Sequence, residues 1–552
     1  MALKSNFAFF LERWTVLANL GETAERNVHI DPHTTLMKLR LFAETMTKYI
    51  LASENIREAY GTTQVDRINT LRREGILEPE LIEMFETLRR KGNQAVHEAD
   101  YGKIEEAKAM LHIAFRMSVW FMEVYGDWSF QAPEYVEYSE QLETDKIDLL
   151  QQEYDNKVKK LEEELEAIRQ KAELEQPNAK VERKQISKKF VRRQQLTEAE
   201  TRTIIDEKLR LSGWEVDTNG LNHYTKGTLP QKNRNMAIAE WKAGSGRVDY
   251  ALFIGLQLVG LIEAKAKHKN VPSVLESQTK TYAKNIASIE NEQLTPTKGD
   301  YKVPFLYATN GRPFLRQLQE ESGIWFWDSR KLTEHARPLE GWHSPEDLQL
   351  LLSQDDEAAN EQLQEEDITK FGLRPYQQNA VLAAEKALQE GQRKMLMAMA
   401  TGTGKTRTAI ALMYRLIKAK KSRRILFLVD RKALGRQTEN ALKDTEIEGL
   451  PFSSIYDVKS LEDMSPEVMT RVHIATVQGM VHRLFYSEDK RMPSVGQYDF
   501  IIVDEAHRGY TSDREMSEDE LIFEDQNDYI SQYRRVIDYF DAACLGLTAT
   551  PA

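Results

Sequence analysis

Apolar residues recur at three- and four-residue intervals through the first part of the chain, in stretches such as TTLMKLRLFAETMTKYILA (34–52) and EEAKAMLHIAFRMSVWFMEVYG (105–126). That is the helical period, and glycine and proline are sparse inside these runs, so residues 1–138 read as a helical domain. From Ile147 the register sharpens. Ile147, Leu150, Tyr154, Val158, Leu161, Leu165, Ile168 and Ala172 step by three or four, with Glu, Lys and Gln between them. The pattern predicts a long helix, either self-paired or laid against a neighbouring domain, and Pro177 ends it. A basic stretch, KVERKQISKKFVRR (180–193), follows and reads as a solvated linker or a DNA-facing patch.

The texture then changes. After an amphipathic helix from Leu196 to Leu211 come short apolar strands, DYALFI and LVGLIEAKA, and an acidic boundary at residues 351–370. Beyond it apolar runs alternate with helical segments: KMLMAMA, RILFLVD, VHIATV, FIIVDEA and ACLGLTAT. Strand runs separated by helices imply a parallel sheet covered on both faces. The expected division is a helical domain (1–138), a coiled-coil-like helix with a basic linker (139–194), a mixed-sheet α/β domain (195–350), an acidic linker (351–370) and a parallel-sheet α/β domain (371–552).

Composition adds bounds. The 552 residues are 41% apolar and 29% charged, ordinary for folded multidomain protein. A net charge of −12 excludes a polybasic coat but leaves room for a local basic groove. The single cysteine, Cys544, excludes a disulfide framework and a Cys-based zinc site and fits a reducing compartment. No apolar run approaches the ~18–20 residues of a membrane span, and a cytoplasmic protein is expected.

The strongest chemical signal is MATGTGKTRTA (399–409), which follows an apolar strand and opens a helix. Gly402 and Gly404 let the backbone wrap a phosphate, with Thr401 and Thr403 between and before them, so that amide N–H groups face the anion. Lys405 can reach the β- and γ-phosphates of ATP and Thr406 can hold Mg²⁺. Met399 stands where the consensus first glycine would be. In YDFIIVDEAHRGY (498–510) a strand delivers Asp504 and Glu505 to its C-terminal end, where ligands sit in parallel sheets. Asp504 is expected to hold Mg²⁺, Glu505 to polarise the attacking water, and His507 to couple the nucleotide site to the rest of the motor. LRPYQ (373–377) places Gln377 where it can read adenine, and LGLTATPA (545–552) supplies Thr548, Ala549 and Thr550. Together these resemble the first RecA-like domain of a superfamily 2 helicase or translocase. A second such domain, carrying an arginine that acts across the cleft, is expected in that family and does not occur by residue 552. The chain as given is therefore expected to bind ATP better than it hydrolyses it.

A second constellation lies at GRVDYALFIGLQLVGLIEAKA (246–266). Asp249 begins one apolar strand; Glu263 and Lys265, two apart near the end of the next, share a face. Two carboxylates and a lysine suit metal-dependent phosphodiester hydrolysis, with Asp249 and Glu263 binding Mg²⁺ and Lys265 orienting water or stabilising the pentacovalent phosphate. Solvent-facing charges on two strands are the plainer alternative. Glu200 on the preceding helix offers another carboxylate, and Gln278 and Tyr282 stand one helical turn apart just downstream.

GRVDYAL, IEAKA, QTKTYA, LRPYQ, MATGTGKTR and VDEAHRGY in this order resemble the R (restriction) subunit of type I restriction-modification enzymes, and KSNFAFF, TTLMKLRLFAE and LRRKGNQAVHE resemble the helical front domain of some members. By that resemblance Asp249, Glu263 and Lys265 match the PD-(D/E)xK nuclease motif, and Gln278 and Tyr282 its QxxxY companion. The family implies an ATP-driven pump of double-stranded DNA that cuts away from its recognition site, with methyltransferase and specificity subunits as partners. The alternatives are a superfamily 2 helicase or remodeller with an inactive nuclease fold, and a non-catalytic DNA-binding or regulatory fragment. Arg90, Asn93 and His97 are spaced as in HEPN-type helical ribonucleases, where His97 would act as acid or base; a helical docking module in which they cap and pair is the plainer reading.

Overall fold

The computed structural model describes residues 5–59, 61–97, 102–127, 130–137, 161, 164–172, 177–193, 197–265, 270–286, 294, 297, 299–313, 320, 322–331, 334–447, 449–461, 463, 466–485, 492–506 and 526–549. They fall into two compact units, the first built on residues up to Glu207 and the second on residues from Lys208 onward.

The first unit is helical: α1 (Thr15–Asn27), α2 (Pro32–Ser53), α3 (Gln64–Arg73), α4 (Pro79–His97) and α5 (Ile104–Tyr125). Helix starts are where side chains meet the orphan N–H groups. Asp31 accepts from the Thr34 N–H with Pro32 in the first turn of α2, and Thr63 and Asp66 form a capping box on α3. Leu36, Leu39, Phe42, Met46, Tyr49 and Ile50 of α2 turn inward onto Phe7, Phe10 and Trp14. The basic stretch 180–193 differs from the solvated linker expected above. It is part of a helix, Pro177–Arg193, whose Ile186 and Phe190 pack on the helical core while Trp120 Nε1 donates to Ser187 Oγ at 3.0 Å. Two of its cations are spent locally, Lys180 on Glu74 at 3.1 Å and Arg183 on Glu54 at 2.7 Å. Most of the heptad-like run from Ile147 lies outside the described residues. Within it Leu161, Leu165 and Ile168 pack against this same core, so that stretch is laid on the domain.

In the second unit a seven-stranded mixed sheet comes first: β1 (Glu215–Val216), β2 (Asn235–Ala243), β3 (Gly246–Ile254), β4 (Gln257–Ala264), β5 (Phe305–Thr309), β6 (Ile324–Asp328) and β7 (Arg337–Leu339), side by side in sequence order. β1·β2 and β4·β5 are parallel pairs and the rest antiparallel. The β2–β3 and β3–β4 connections are two-residue turns whose first residues, Gly244 (φ +58°) and Gly255 (φ +59°), take the left-handed conformation such turns require.

The second sheet contains β8 (Lys394–Ala398), β9 (Ile425–Val429), β12 (Asp457–Lys459), β13 (Thr470–Thr476), β14 (Phe500–Val503) and β15 (Ala543–Thr548), ordered β12-β13-β9-β14-β15-β8 and parallel throughout. A small ribbon of β10 (Glu446–Ile447) and β11 (Leu450–Pro451) stands beside it. β9 and β14 are buried along their whole length, as unalternating apolar runs in a sheet covered on both faces must be. This is the expected parallel-sheet RecA-like domain.

The two sheets meet at a buried charged seam. Asp541, two residues before β15, takes a two-pronged bond from Arg337 of β7 (2.6 and 2.8 Å), one from Arg393 (2.7 Å), and sits 3.1 Å from His343 Nε2. His343 Nδ1 lies 2.9 Å from the Tyr307 hydroxyl on β5. Burial would raise the Asp541 carboxyl, yet Arg337 and Arg393 hold it well below the ordinary range. Among the described residues no helix is long and apolar enough to cross a membrane.

Candidate active sites

The phosphate-loop region is assembled from backbone. β8 ends at Ala398, and the helix Lys405–Lys418 starts from Gly404 as its N-cap. Gly402 and Gly404 both have left-handed backbones, with φ of +76° and +88°. Gly404 is constrained twice, because a Cβ there would come within 2.5 Å of Gln377 Nε2. The Met399 N–H donates to the Thr548 carbonyl at 2.9 Å, joining the loop to the end of β15. Lys405 Nζ, at the head of the helix, is 3.0 Å from Glu505 Oε1. Glu505 itself has a left-handed backbone (φ +50°), a strained conformation of the kind that collects at functional turns, and its N–H donates to Asp504 Oδ1 at 3.0 Å. Thr401 and Gly402 are exposed and Thr406 is half-buried, so the loop's outer face is open.

Gln377 is buried at 4% exposure. Its amide is engaged at both ends, Nε2 donating to the Thr403 carbonyl (2.8 Å) and Oε1 accepting the Arg374 N–H (2.8 Å). It braces the loop. Tyr376, which the sequence reading passed over, donates its hydroxyl to the same carbonyl at 2.9 Å. The helix behind the loop is anchored by Arg415, buried and bonded to Glu385 (2.6 and 3.0 Å) and to the carbonyls of Leu363 and Glu366. His507 and Thr550 lie outside the described residues.

The second constellation sits where β3 and β4 part. The β3·β4 ladder begins at Tyr250↔Ile262, so Asp249 is just beyond it, and its Oδ2 accepts the Ala264 N–H at 2.7 Å. Glu263 is 2% exposed; Lys265 donates to its Oε1, while its Oε2 is buried with no hydrogen-bond partner. The Lys265 N–H donates to the Thr309 carbonyl at 2.9 Å, extending the β4·β5 register and fixing where the side chain departs. Burial, with Asp249 beside it, pushes the Glu263 carboxyl up to about 7 despite Lys265. Tyr282 is raised first by burial and then by Glu263, with Lys265 and Asp249 also acting on it, so the tyrosine belongs to the same group.

Val271–Val274 and Lys280–Asn285 are α-helical with a π-helical turn, Leu275–Thr279, between them. Gln278 lies in that turn, half-buried; π-turns are frequent at functional sites. Gly246 has a role the sequence reading did not give it: a Cβ there would stand 3.2 Å from the Tyr282 hydroxyl, so glycine makes room for the ring. Glu200 is occupied elsewhere, accepting from Arg116 (2.8 Å) and from the Thr197 N–H (2.6 Å).

A buried carboxylate oxygen with no partner, beside a second carboxylate and a lysine, is the donor set a hard cation takes up. Among the described residues no cluster of three or more His, Cys, Asp or Glu comes together. Two carboxylates suffice for Mg²⁺, which keeps several waters. In the helical unit Arg90 lies 3.7 Å from Glu86, and the His97 side chain is outside what is described.

A family model described as the type I restriction enzyme EcoKI endonuclease subunit second domain matches residues 215–352, and one described as type III restriction enzyme, res subunit, matches residues 370–552. The EcoKI endonuclease subunit of Escherichia coli (strain K12) is 36% identical over an alignment of 628 positions, covering 100% of this chain and 53% of that one. The EcoAI endonuclease subunit of Escherichia coli is 32% identical over 258 positions, 45% of this chain and 28% of that one. Among solved structures, a Sulfolobus solfataricus SWI2/SNF2 ATPase core in complex with dsDNA shares 18% identity over 33% of each chain at a TM-score of 0.24.

Fold and sites therefore define a helical region, a mixed-sheet domain and a superfamily 2 ATPase domain on one chain. Along its whole length the chain is similar to the endonuclease subunit of the type I restriction enzyme EcoKI. It spans about half the length of the EcoKI subunit, 53%.

Proposed function

We propose that the chain is the DNA-cutting and ATP-driven part of a type I restriction enzyme, moving double-stranded DNA through its ATPase domain and hydrolysing a phosphodiester at Asp249, Glu263 and Lys265. The observation that carries the reading is the meeting of these three side chains at the parting of β3 and β4, with Glu263 Oε2 buried and unpartnered. Asp249 and Glu263 would hold Mg²⁺, which when bound supplies a hydroxide near neutral pH and offsets charge on the phosphate. Lys265 would leave Glu263 for the scissile phosphate and stabilise its added charge. Tyr282 and Gln278 would orient the strand being cut.

At the other site the N–H groups of residues 401–404 and Lys405 would take the ATP phosphates, with Lys405 leaving Glu505 free to polarise water. Thr406 and Asp504 would hold a second Mg²⁺, Asp504 through water. Gln377 would act on the nucleotide through the loop it braces, and His507 would link the site to the motor. Methyltransferase and specificity subunits would supply target choice, and the full cycle would use a second RecA-like domain as in the family.

The test is cleavage of plasmid DNA by this chain, supplied with a second RecA-like domain and assembled with methyltransferase and specificity subunits, ATP and Mg²⁺. Asp249→Asn should abolish cutting, and chelation should do so reversibly in the wild type. Cutting that persists in either case would overturn the reading.

A further inference from the structure

The segment between β1 and β3 carries a surface that neither site absorbs. From Leu221 to Arg247 five lysine and arginine residues stand against one acidic residue, Glu240, in a chain whose net charge is −12. The short helix His223–Lys226 is firmly seated: Asn222 Oδ1 accepts the Thr225 N–H at 2.9 Å, and the His223 ring stacks on Trp241 with centroids 4.1 Å apart. Its next residue, Tyr224, is held out to solvent at 68% exposure. Over that ring lies the Arg247 guanidinium, its Cζ 3.9 Å from the centroid and its side chain 47% exposed. Arg247 also touches Glu240 at 3.3 Å, and its partner across the β2·β3 ladder is Lys242, also exposed.

The surface borders the cleavage group. Arg247 follows Gly246, the residue against which Tyr282 packs, and precedes Asp249 by two. A planar guanidinium laid on a rigid aromatic ring has lost much of its rotamer freedom already, and its outward N–H groups match phosphate geometry. A phosphate at Arg247 would replace Glu240, a partner that contributes little at an exposed position.

We propose that Arg247, stacked on Tyr224 and paired across the ladder with Lys242, grips the phosphate backbone of double-stranded DNA next to the scissile bond. The grip deepens the cleavage reading and rests on it for its position, but its binding can be read without cleavage. It reads no sequence, because phosphate contacts set register and affinity and not base identity.

The experiment uses the full chain and duplex oligonucleotides of unrelated sequence, with Ca²⁺ in place of Mg²⁺ and no nucleotide, across a salt series. Arg247→Ala should weaken every duplex alike, roughly eightfold at 0.1 M salt for one released counterion, and lower the slope of log affinity against log salt by about one. Arg247→Lys should keep the slope and serves as the control for folding; Tyr224→Ala should weaken binding without changing the slope. An Arg247→Ala protein with wild-type affinity and slope would overturn the grip. If the assembled wild type fails to cut DNA yet Arg247→Ala still loses slope, the cleavage reading falls and the grip stands. If the wild type cuts and Arg247→Ala binds and cuts equally well, the grip falls and the cleavage reading stands.

Discussion

At the phosphate loop the chain offers backbone: two left-handed glycines, a helix N-terminus and a lysine held 3.0 Å from Glu505. At the parting of β3 and β4 it offers side chains, two carboxylates and a lysine drawn together on neighbouring strands with one carboxylate oxygen left without a bond. The first arrangement needs conformational freedom and tolerates exposure. The second needs rigidity and burial, because a carboxyl raised to about 7 keeps that state only while water stays out. On the proposed reading one molecule builds an anion site from dipoles and a cation site from charges.

The seam at Asp541 is where both can be disturbed together, and it should give the largest effect. Asp541→Ala leaves the part-buried Arg337 and Arg393 without their shared anion and should cost about 3 kcal/mol of stability, visible as a lowered denaturant midpoint. A variant as stable as the wild type would remove the seam from the account. Glu263→Gln should separate the two sites, lowering cleavage by about 10²–10³-fold and leaving nucleotide binding as it was. Parallel loss of nucleotide binding would show that the sites are not independent. Lys405→Ala is the reciprocal change. It removes one charge-assisted contact and should weaken ATP binding by roughly 10–100-fold, measured with a fluorescent analogue, while duplex binding in Ca²⁺ is retained.

The smallest effect concerns pH. Burial, with Arg483 adding to it, pushes His473 on β13 down to about 4. The unfolded chain therefore takes a proton near pH 6.5 that the folded chain refuses until about pH 4. This part of the stability is complete above pH 6.5 and is lost as pH falls toward 4, about 1 kcal/mol by pH 5.5. His473→Gln should flatten that slope in melting curves; an unchanged slope would assign the acid sensitivity to other groups.

Much of this was legible in the sequence, for reasons that differ by region. Parallel strands buried on both faces write themselves as unbroken apolar runs, so β9 and β14 are visible in RILFLVD and FIIVDEA. The glycines at 402 and 404 advertise a backbone conformation, which is a local property. The helix Pro177–Arg193 was hidden because Lys and Arg outnumber its inward residues, Ile186 and Phe190, and charge masked the period. The position of Gln377 suggests a reader of adenine, and its bond to the Thr403 carbonyl adds a contact with the loop that spacing does not encode. The Asp541 seam was illegible for a related cause. Arg337, His343, Arg393 and Asp541 are scattered over some two hundred residues and share no period.

The central claim is that two chemically independent sites stand on one chain, and Lys265→Ala tests it most directly. Wild type and variant, each supplied with a second RecA-like domain as in the family and assembled with methyltransferase and specificity subunits, would be followed for ATP hydrolysis and DNA cleavage in the same reaction. The account predicts that hydrolysis continues at the wild-type rate while cleavage is lost. Cleavage that survives the substitution would contradict it, as would hydrolysis and cleavage lost together in a variant that folds normally.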